Sequence, residues 1–187
     1  NNTTPSYTTL HHTTQREALQ AMRRKGERLE AMKIVIINGP NLNLLGRREV
    51  SIYGTKSMEQ VLVDIQRAYP EVYFEYRQSN HEGDLIDWVQ ELGVAHCLED
   101  ARDASYRLKV KGIVLNAGGY THTSVALRDA VACAEVPVVE VHISDITKRE
   151  EFRRTSLLTD VCAHTIMGHG IDGYQEAVEW IIKHNNE

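Results

Sequence analysis

The sequence has few of the features that mark secreted, membrane-embedded and nucleic-acid-binding proteins. Its three cysteines, Cys97, Cys133 and Cys162, are far apart and form no Cys-x-x-Cys pair. They suggest neither a disulfide framework nor a zinc site, so a reducing cytoplasm is the expected compartment. No apolar run approaches the roughly 20 residues that span a membrane. With 21 Lys and Arg against 26 Asp and Glu, the formal net charge is -5, which lacks the basic excess typical of nucleic-acid binders.

Two fingerprints of nucleotide-binding proteins are also missing. The chain has no Gly-x-Gly-x-x-Gly dinucleotide fingerprint and no Gly-x-x-x-x-Gly-Lys-Ser/Thr phosphate loop. His122 and His142 follow separate predicted strands and have no pattern of Cys, Asp or Glu ligands near them. The residues therefore do not favour a metal site.

The composition that remains is that of a globular domain of ordinary size. Hydrophobic residues make up 42% of the 187 residues and charged residues 25%. Residues 1–31 are expected to be an extension that is partly disordered or helical, because they are polar at first and then charged and helix-favouring. They contain no hydrophobic signal-peptide core. We predict that the folded domain spans residues 32–187, beginning at Met32.

From Lys33 onward, short apolar runs alternate with amphipathic stretches. This alternation predicts an α/β fold with a five-stranded parallel sheet covered by helices on both faces. Ser57 and Gln60 have the spacing of a capping box at the start of the first helix. The predicted strands are 33–38, 72–79, 111–119, 136–144 and 163–170, and the predicted helices are 57–69, 82–92, 124–134 and 173–184.

Polar side chains are concentrated where the predicted strands end. Ligands of parallel α/β sheets bind beyond the carboxyl ends of the strands, at the point where strand order reverses. A binding pocket is therefore expected at this edge of the sheet. The segments that meet there are NGPN (38–41), QSNHEGD (78–84), NAGGYTHTS (116–124) and HISD (142–145).

Each candidate residue also has a structural interpretation. Tyr53 in its loop is alternatively an anchor that packs its ring on the domain, and Arg47 and Arg48 are alternatively a solvated charge pair. His142 is alternatively a hydrogen-bonded structural residue, and NAGG a tight turn that needs positive φ. His122 is alternatively a residue at a helix start, with Thr121, Thr123 or Ser124 as the cap. Their shared position at several strand ends favours a functional role.

Four motifs in order resemble type II 3-dehydroquinate dehydratase. They are INGPNLNLLGRREVSIYG, QSNHEGDLIDW, LNAGGYTHTSVALRDA and VEVHISDITKREEFRR, and the resemblance covers roughly Lys33 to His184. It implies a flavodoxin-like three-layer sandwich and a cofactor-free lyase. That enzyme dehydrates 3-dehydroquinate to 3-dehydroshikimate in the shikimate or quinate pathway. The resemblance also implies a dodecamer built from trimers.

The resemblance assigns five catalytic roles by motif position. Tyr53 corresponds to the base that removes a proton beside the substrate ketone, and Arg48 favours the ionised form of Tyr53. His142 corresponds to the acid that protonates the departing hydroxyl, and Glu140 to the partner that orients His142. Asn41 corresponds to the residue that helps hold a water near the developing enolate.

It also assigns the substrate-binding positions, which lie after the third and fourth predicted strands. Asp129 corresponds to a residue that reaches the site of a neighbouring subunit. The other binding positions are Asn116, His122, Ile143, Ser144 and Arg153.

The residue types fit the chemistry that the resemblance implies. A free tyrosine has a pKa of ~10, so keeping it ionised at neutral pH costs roughly 4 kcal/mol. A guanidinium a few ångströms away stays charged and favours the phenolate. An imidazole held by a carboxylate can supply a proton near neutral pH. Backbone N–H groups at Ile143 and Ser144, with Asn116, suit the substrate carboxylate, while His122 and Arg153 suit its hydroxyls.

The stretch GRREVSIYG is bracketed by Gly46 and Gly54, which we interpret as hinges of a catalytic lid. The chain departs from the family in residues 93–110, a longer connection than usual that is predicted to extend or add a helix. Residues 1–31 have no counterpart in the family core. Neither departure touches the motif residues.

Two other classes of function remain open from the residues alone. One is a flavodoxin-like flavin-binding or regulatory module without lyase activity. The first strand is followed by amides in INGPN, whereas a regulatory receiver needs an acidic cluster there. The other is an inactive structural member of the same family, against which the set Arg48, Tyr53 and His142 argues.

Overall fold

Five parallel strands form the centre of the protein. The computed structural model describes residues 32–46, 56–94 and 109–185, which belong to a unit spanning Met32–Glu187. The strand order is β2-β1-β3-β4-β5, and every neighbouring pair is parallel. The predicted five-stranded parallel sheet is confirmed, and its order reverses between β1 and β3. The strands are β1 (Lys33–Asn38), β2 (Tyr73–Gln78), β3 (Val110–Asn116), β4 (Val138–His142) and β5 (His164–Met167).

Four helices lie between and after these strands. They are α1 (Met58–Ala68), α2 (Glu82–Gly93), α3 (Val125–Ala132) and α4 (Gly173–His184), and α4 matches its predicted range. The Oγ atoms of Ser57 and Ser124 cap α1 and α3 by accepting the backbone N–H of Gln60 and Leu127 at 3.3 and 2.8 Å. Only this half of the predicted capping box is present, because the Gln60 side chain donates to Asp64 instead.

Four strands, β2 to β5, end earlier than predicted, and the turns after β3 and β5 explain the largest differences. β3 stops at Asn116 because Gly118 has a φ of 58°, and β5 stops at Met167 because Gly168 has a φ of 84°. Both angles are left-handed and incompatible with a strand. β4 begins at Val138 because Pro137 has no N–H to donate to the sheet. Ile143, predicted as strand, instead follows β4 in a bend.

Helices cover both faces of the sheet. One face of β1 and β3 packs against α2 and α3, and the predicted apolar positions Leu85, Val89 and Leu92 are at most 1% exposed. On the other face α4 contacts β3 and β4. A Cβ at Gly112 would lie 2.7 Å from the Ile181 side chain, so this glycine lets α4 approach β3 closely.

Several predictions concern residues outside the described part of the chain. These are the extension 1–31, most of the GRREVSIYG loop and the extra helix predicted within 93–110, of which residues 95–108 are not described. Within the described residues, α2 ends at Gly93, and Gly46 has a left-handed φ of 78°. No helix in the described ranges has both the length and the apolar character needed to cross a membrane.

Candidate active site

A pocket opens at the carboxyl ends of β1, β3 and β4, where the sequence predicted it. The structure brings most of the predicted site residues together around it. The predicted residues that line the pocket are Asn41, Asn116, His122, His142, Ile143, Ser144 and Arg153. This is also the edge at which strand order reverses between β1 and β3.

Among the described residues, two predicted site residues, Glu140 and Asp129, are not part of this lining. Glu140 lies beneath the pocket, fully buried, and contacts His142. The Asp129 side chain is 69% exposed on α3, where its nearest cation is Arg128 at 3.7 Å. Arg48 and Tyr53 lie outside the described residues, so their predicted roles stay predictions.

The pocket also contains a cation to which the sequence analysis assigned no role. Arg149 lines the pocket and donates from a guanidinium nitrogen to the Ser144 Oγ at 2.5 Å. It follows a single 3-10 turn, Ile146–Lys148, which begins soon after β4 ends. Arg149 could have been identified from the sequence, because it lies shortly before the predicted binding residue Arg153 in the same segment beyond a strand end.

A carboxylate with an unusual number of donors lies below His142. Glu140 is 0% exposed, and its two oxygens accept hydrogen bonds from four hydroxyl groups. The His142 Nε2 also lies 2.9 Å from Oε1, although the geometry of this contact is not that of a hydrogen bond. The hydroxyl donors are Thr121 at 2.6 Å, Ser156 at 2.7 Å, Thr159 at 2.7 Å and Thr165 at 3.2 Å.

These donors keep Glu140 ionised. Burial alone would raise the pKa of this carboxyl group, but the contacts with His142, Ser156 and Thr121 outweigh burial and lower its pKa to about 2. The Oγ atoms of Ser156 and Thr121 lie 2.8 Å apart, and each hydroxyl has one proton. Both hydroxyls donate their proton to Glu140, so the carboxylate is the acceptor in both hydrogen bonds.

The part of the pocket around His122 is held in place by a contact between the His122 side chain and the backbone. The His122 ring nitrogen Nδ1 lies 2.8 Å from the Thr155 carbonyl oxygen, which ties the 3-10 turn Gly118–His122 to the segment after β4. Ser124 caps α3, as the structural interpretation of His122 allowed, and His122 lies in the turn before this cap while it also lines the pocket. Arg153 stacks its guanidinium over the exposed Phe152 ring at 5.3 Å.

The end of β1 is shaped by a close backbone approach. A Cβ at Gly39 would lie 2.4 Å from the Ala117 carbonyl oxygen, so only glycine fits between the ends of β1 and β3. Asn41 follows with a left-handed φ of 68°, and its N–H donates to the Asn80 side chain at 3.0 Å. The predicted residue Asn41 is thus fixed at the pocket by its backbone.

Within the described ranges, no three His, Cys, Asp or Glu side chains are grouped in a way that could hold a metal ion. The polar groups of the pocket are instead amides, imidazoles, guanidiniums and a hydroxyl. Such a set suits a ligand that carries a carboxylate and several hydroxyl groups.

Comparisons with known proteins agree with this geometry. Two proteins named 3-dehydroquinate dehydratase are similar to this chain. The one from an Exiguobacterium species is 46% identical over 154 residues, covering 82% of this chain and 96% of its own. The one from Campylobacter jejuni is 47% identical over 154 residues, covering 81% and 88%.

Solved structures show the same likeness. The crystal structure of type II dehydroquinase from Butyrivibrio crossotus has a TM-score of 0.70 and 41% identity, covering 81% of this chain and 97% of that one. That from Propionibacterium acnes has a TM-score of 0.69 and 31% identity, covering 81% and 96%. The flavodoxin-like fold is thereby confirmed. The model of the family "Dehydroquinase class II" matches residues 32–182, and the chain belongs to this family.

Proposed function

We propose that this protein catalyses the dehydration of 3-dehydroquinate to 3-dehydroshikimate without a cofactor. The observation that carries the proposal is a pocket in a family member that gathers Asn116, His122, His142 and Ser144 at the ends of β3 and β4. This set offers donors for a carboxylate, donors for hydroxyls and a histidine beside a buried carboxylate. A cytoplasmic location, a dodecamer built from trimers and a catalytic domain that begins at Met32 are part of the proposal through the family resemblance.

The reaction proceeds by anti elimination through an enolate. Ionised Tyr53, favoured by Arg48, removes the proton from the carbon beside the ketone, and the electron pair of the C–H bond forms the enolate. Asn41 helps hold a water near the enolate oxygen. When the ketone re-forms, a carbon–carbon double bond forms and the C–O bond to the hydroxyl breaks. His142 donates a proton to that hydroxyl, which leaves as water.

The buried carboxylate supports the acid in this scheme. Glu140 is fully buried and ionised, so it places a fixed negative charge 2.9 Å from the imidazole of His142. The charge stabilises the protonated imidazole that has to give up a proton to the leaving group. The hydroxyls around Glu140 hold it in place, because they come from three parts of the chain: Thr121 from the turn after β3, Ser156 and Thr159 from the segment between β4 and β5, and Thr165 from β5.

The remaining pocket residues bind the substrate. Asn116 and the backbone N–H groups of Ile143 and Ser144 bind its carboxylate, and His122 and Arg153 bind its hydroxyls. Asp129 contributes to the site of a neighbouring subunit, consistent with its exposure on α3.

The test is an assay of enone absorbance after addition of 3-dehydroquinate. We expect the absorbance to rise equally with and without a metal chelator. We expect Tyr53→Phe to abolish nearly all turnover while binding is retained, and His142→Ala to lower kcat by about 10²- to 10⁴-fold. Matched controls are Tyr69→Phe, whose hydroxyl contacts Glu179, and His184→Ala, whose ring stacks on Trp180; both should keep wild-type kcat.

Four results would contradict the proposal. Near wild-type kcat in Tyr53→Phe would show that Tyr53 is not the base. Unchanged kcat in His142→Ala would show that His142 is not the acid. Flavin absorbance in the purified protein, with no turnover, would favour a flavin-binding module. Borohydride added with substrate should leave the enzyme active, because no imine forms; irreversible inactivation would indicate lysine chemistry instead.

A further inference from the structure

Four polar side chains beneath the pocket form a continuous chain of hydrogen bonds, which we call the amide–phenol chain. Its members are Asn116, Tyr174, Asn38 and Tyr76. The Asn116 Nδ2 donates to the Tyr174 hydroxyl at 2.9 Å, and the Tyr174 hydroxyl donates to the Asn38 Oδ1 at 2.8 Å. The Asn38 Nδ2 donates to the Tyr76 hydroxyl at 3.4 Å. Tyr174 and Asn38 are both 0% exposed.

The sheet register explains how the chain forms. Asn38 and Asn116 are register partners at the ends of β1 and β3, so their side chains lie next to each other. Tyr174 is the second residue of α4, and its hydroxyl reaches the two amides. A phenol is the only group in the chain that can accept from one amide and donate to the other.

The direction of every bond in the chain is determined. A backbone N–H can only donate, and the N–H of Gly118 points at the Asn116 Oδ1 at 3.2 Å. The other end of the Asn116 amide, Nδ2, therefore faces Tyr174, which accepts. Tyr174 has one proton, and that proton goes to the Asn38 Oδ1.

This arrangement defines what Asn116 offers to the pocket. One of its two Nδ2 protons is used by Tyr174, and the other remains for a ligand. Asn116 lines the pocket while it is only 4% exposed. A reversed amide would present Oδ1, which repels a carboxylate, so the orientation decides whether Asn116 attracts or repels an anionic substrate.

We propose that Tyr174 is a positioning residue that holds the Asn116 amide with its N–H toward the substrate carboxylate and so sets substrate affinity. This inference rests on the proposed function, because it takes a carboxylate as the ligand of Asn116. Tyr174 does not touch the substrate. It acts through Asn116 and leaves the chemical step to the residues around His142.

The experiment compares two tyrosine variants in the same chain of hydrogen bonds. Tyr174→Phe removes the hydroxyl that contacts Asn116, and we expect KM for 3-dehydroquinate to rise about five- to tenfold with kcat within about twofold. Tyr76→Phe removes a hydroxyl of a half-buried side chain that accepts from Asn38 and does not contact Asn116, and KM should change by less than about twofold. The dissociation constant for 3-dehydroshikimate, measured by titration calorimetry, should change in parallel with KM.

A double-mutant cycle separates positioning from a merely structural role. In an Asn116→Ala background, Tyr174→Phe should leave KM unchanged, because the residue through which it acts is gone. An equal rise in KM in both backgrounds, or a fall in kcat at constant KM, would overturn the inference. If Tyr174→Phe does not fold, Asn38→Leu takes its place. It removes the acceptor of the Tyr174 proton and should raise KM by a similar factor.

The outcomes also distinguish this inference from the proposed function. If the wild-type protein does not convert 3-dehydroquinate, the proposed function fails and this inference fails with it. If the wild type is active and Asn116→Ala raises KM, but Tyr174→Phe does not, only the positioning role of Tyr174 is overturned.

Discussion

The two sides of the pocket are supported by buried polar groups of opposite character. Under β1 and β3 lies the amide–phenol chain, which is neutral. Under β4 lies what we call the carboxylate cluster, which is charged; its members are Glu140, His142, Thr121, Ser156, Thr159 and Thr165. The central members of both groups are fully buried, namely Glu140 and Thr121 on one side and Tyr174 and Asn38 on the other, so their polar atoms need partners inside the protein.

In the proposed mechanism, this difference separates substrate binding from chemistry. Burial raises the pKa of Tyr174 well above its ordinary value and that of Tyr76 to about 12, so both phenols stay neutral. The orientation of the amides is then independent of pH. Glu140, with a pKa of about 2, carries its charge throughout the range in which proteins work, and it supports a group that has to transfer a proton. Neutral groups fix geometry, and the charged group serves proton transfer.

The largest expected effect on the free energy of unfolding comes from removing the charge of Glu140. Glu140→Gln should lower the free energy of unfolding by roughly 3 kcal/mol at pH 7, because the carboxyl pKa falls from 4.5 to about 2 on folding. A folded-state pKa below the unfolded one stabilises above pH 4.5, and that stability is lost as pH falls toward 2. The difference between wild type and variant should therefore shrink by roughly 3 kcal/mol between pH 6 and pH 2.

Denaturant titrations at several pH values measure this difference. The Cys162 thiol near Glu140 does not interfere, since burial and the charge on Glu140 raise its pKa to about 12. If the difference in unfolding free energy stayed constant from pH 6 to pH 2, the surroundings of Glu140 would not lower its pKa.

The second effect concerns the neutral side and should not depend on pH. Tyr174→Phe leaves the Asn116 Nδ2 and the Asn38 Oδ1 buried without that partner, which costs about 2 kcal/mol. No member of the amide–phenol chain titrates between pH 3 and pH 8, so the loss should be the same across that range. The same denaturant titrations measure it. If the loss of unfolding free energy varied with pH, the two sides of the pocket would not differ as neutral and charged groups.

The smallest effects come from single hydroxyls of the carboxylate cluster. Thr159→Val removes a donor at 2.7 Å from Glu140 and should lower the free energy of unfolding by about 1.5 kcal/mol at pH 7. Thr165→Val is its matched control, because its donor lies at 3.2 Å, and it should cost less than about 1 kcal/mol. Thermal or denaturant unfolding ranks the two. A larger loss in Thr165→Val would show that bond length does not govern these contacts.

Much of the fold could be predicted from the sequence because the pattern is regular. Buried strands such as β1 stand out as continuous apolar runs, and amphipathic helices such as α4 as apolar residues at helical spacing. The carboxyl ends of such strands meet at one edge, which is why Asn116 and His142 could be placed in one pocket. Strand ends were predicted less well, since they depend on glycine dihedral angles such as that of Gly118.

The support beneath the pocket could not be predicted in the same way. Thr159 and Ser156 lie in irregular segments after β4, where no period indicates that a hydroxyl points at Glu140. Tyr174 occupies a core position of a helix, which a sequence pattern cannot distinguish from an ordinary packed aromatic. Its partner Asn38 is 136 residues away. Such contacts exist only once the sheet has brought distant segments together.

The position of Tyr174 on α4 has a consequence for the order in which the protein is made. Synthesis proceeds from the N-terminus, so all five strands leave the ribosome before Tyr174 does. Asn38 and Asn116 can become neighbours in the nascent chain, but their amides have no phenol to fix them until α4 is added. Substrate affinity is therefore among the last properties the chain acquires.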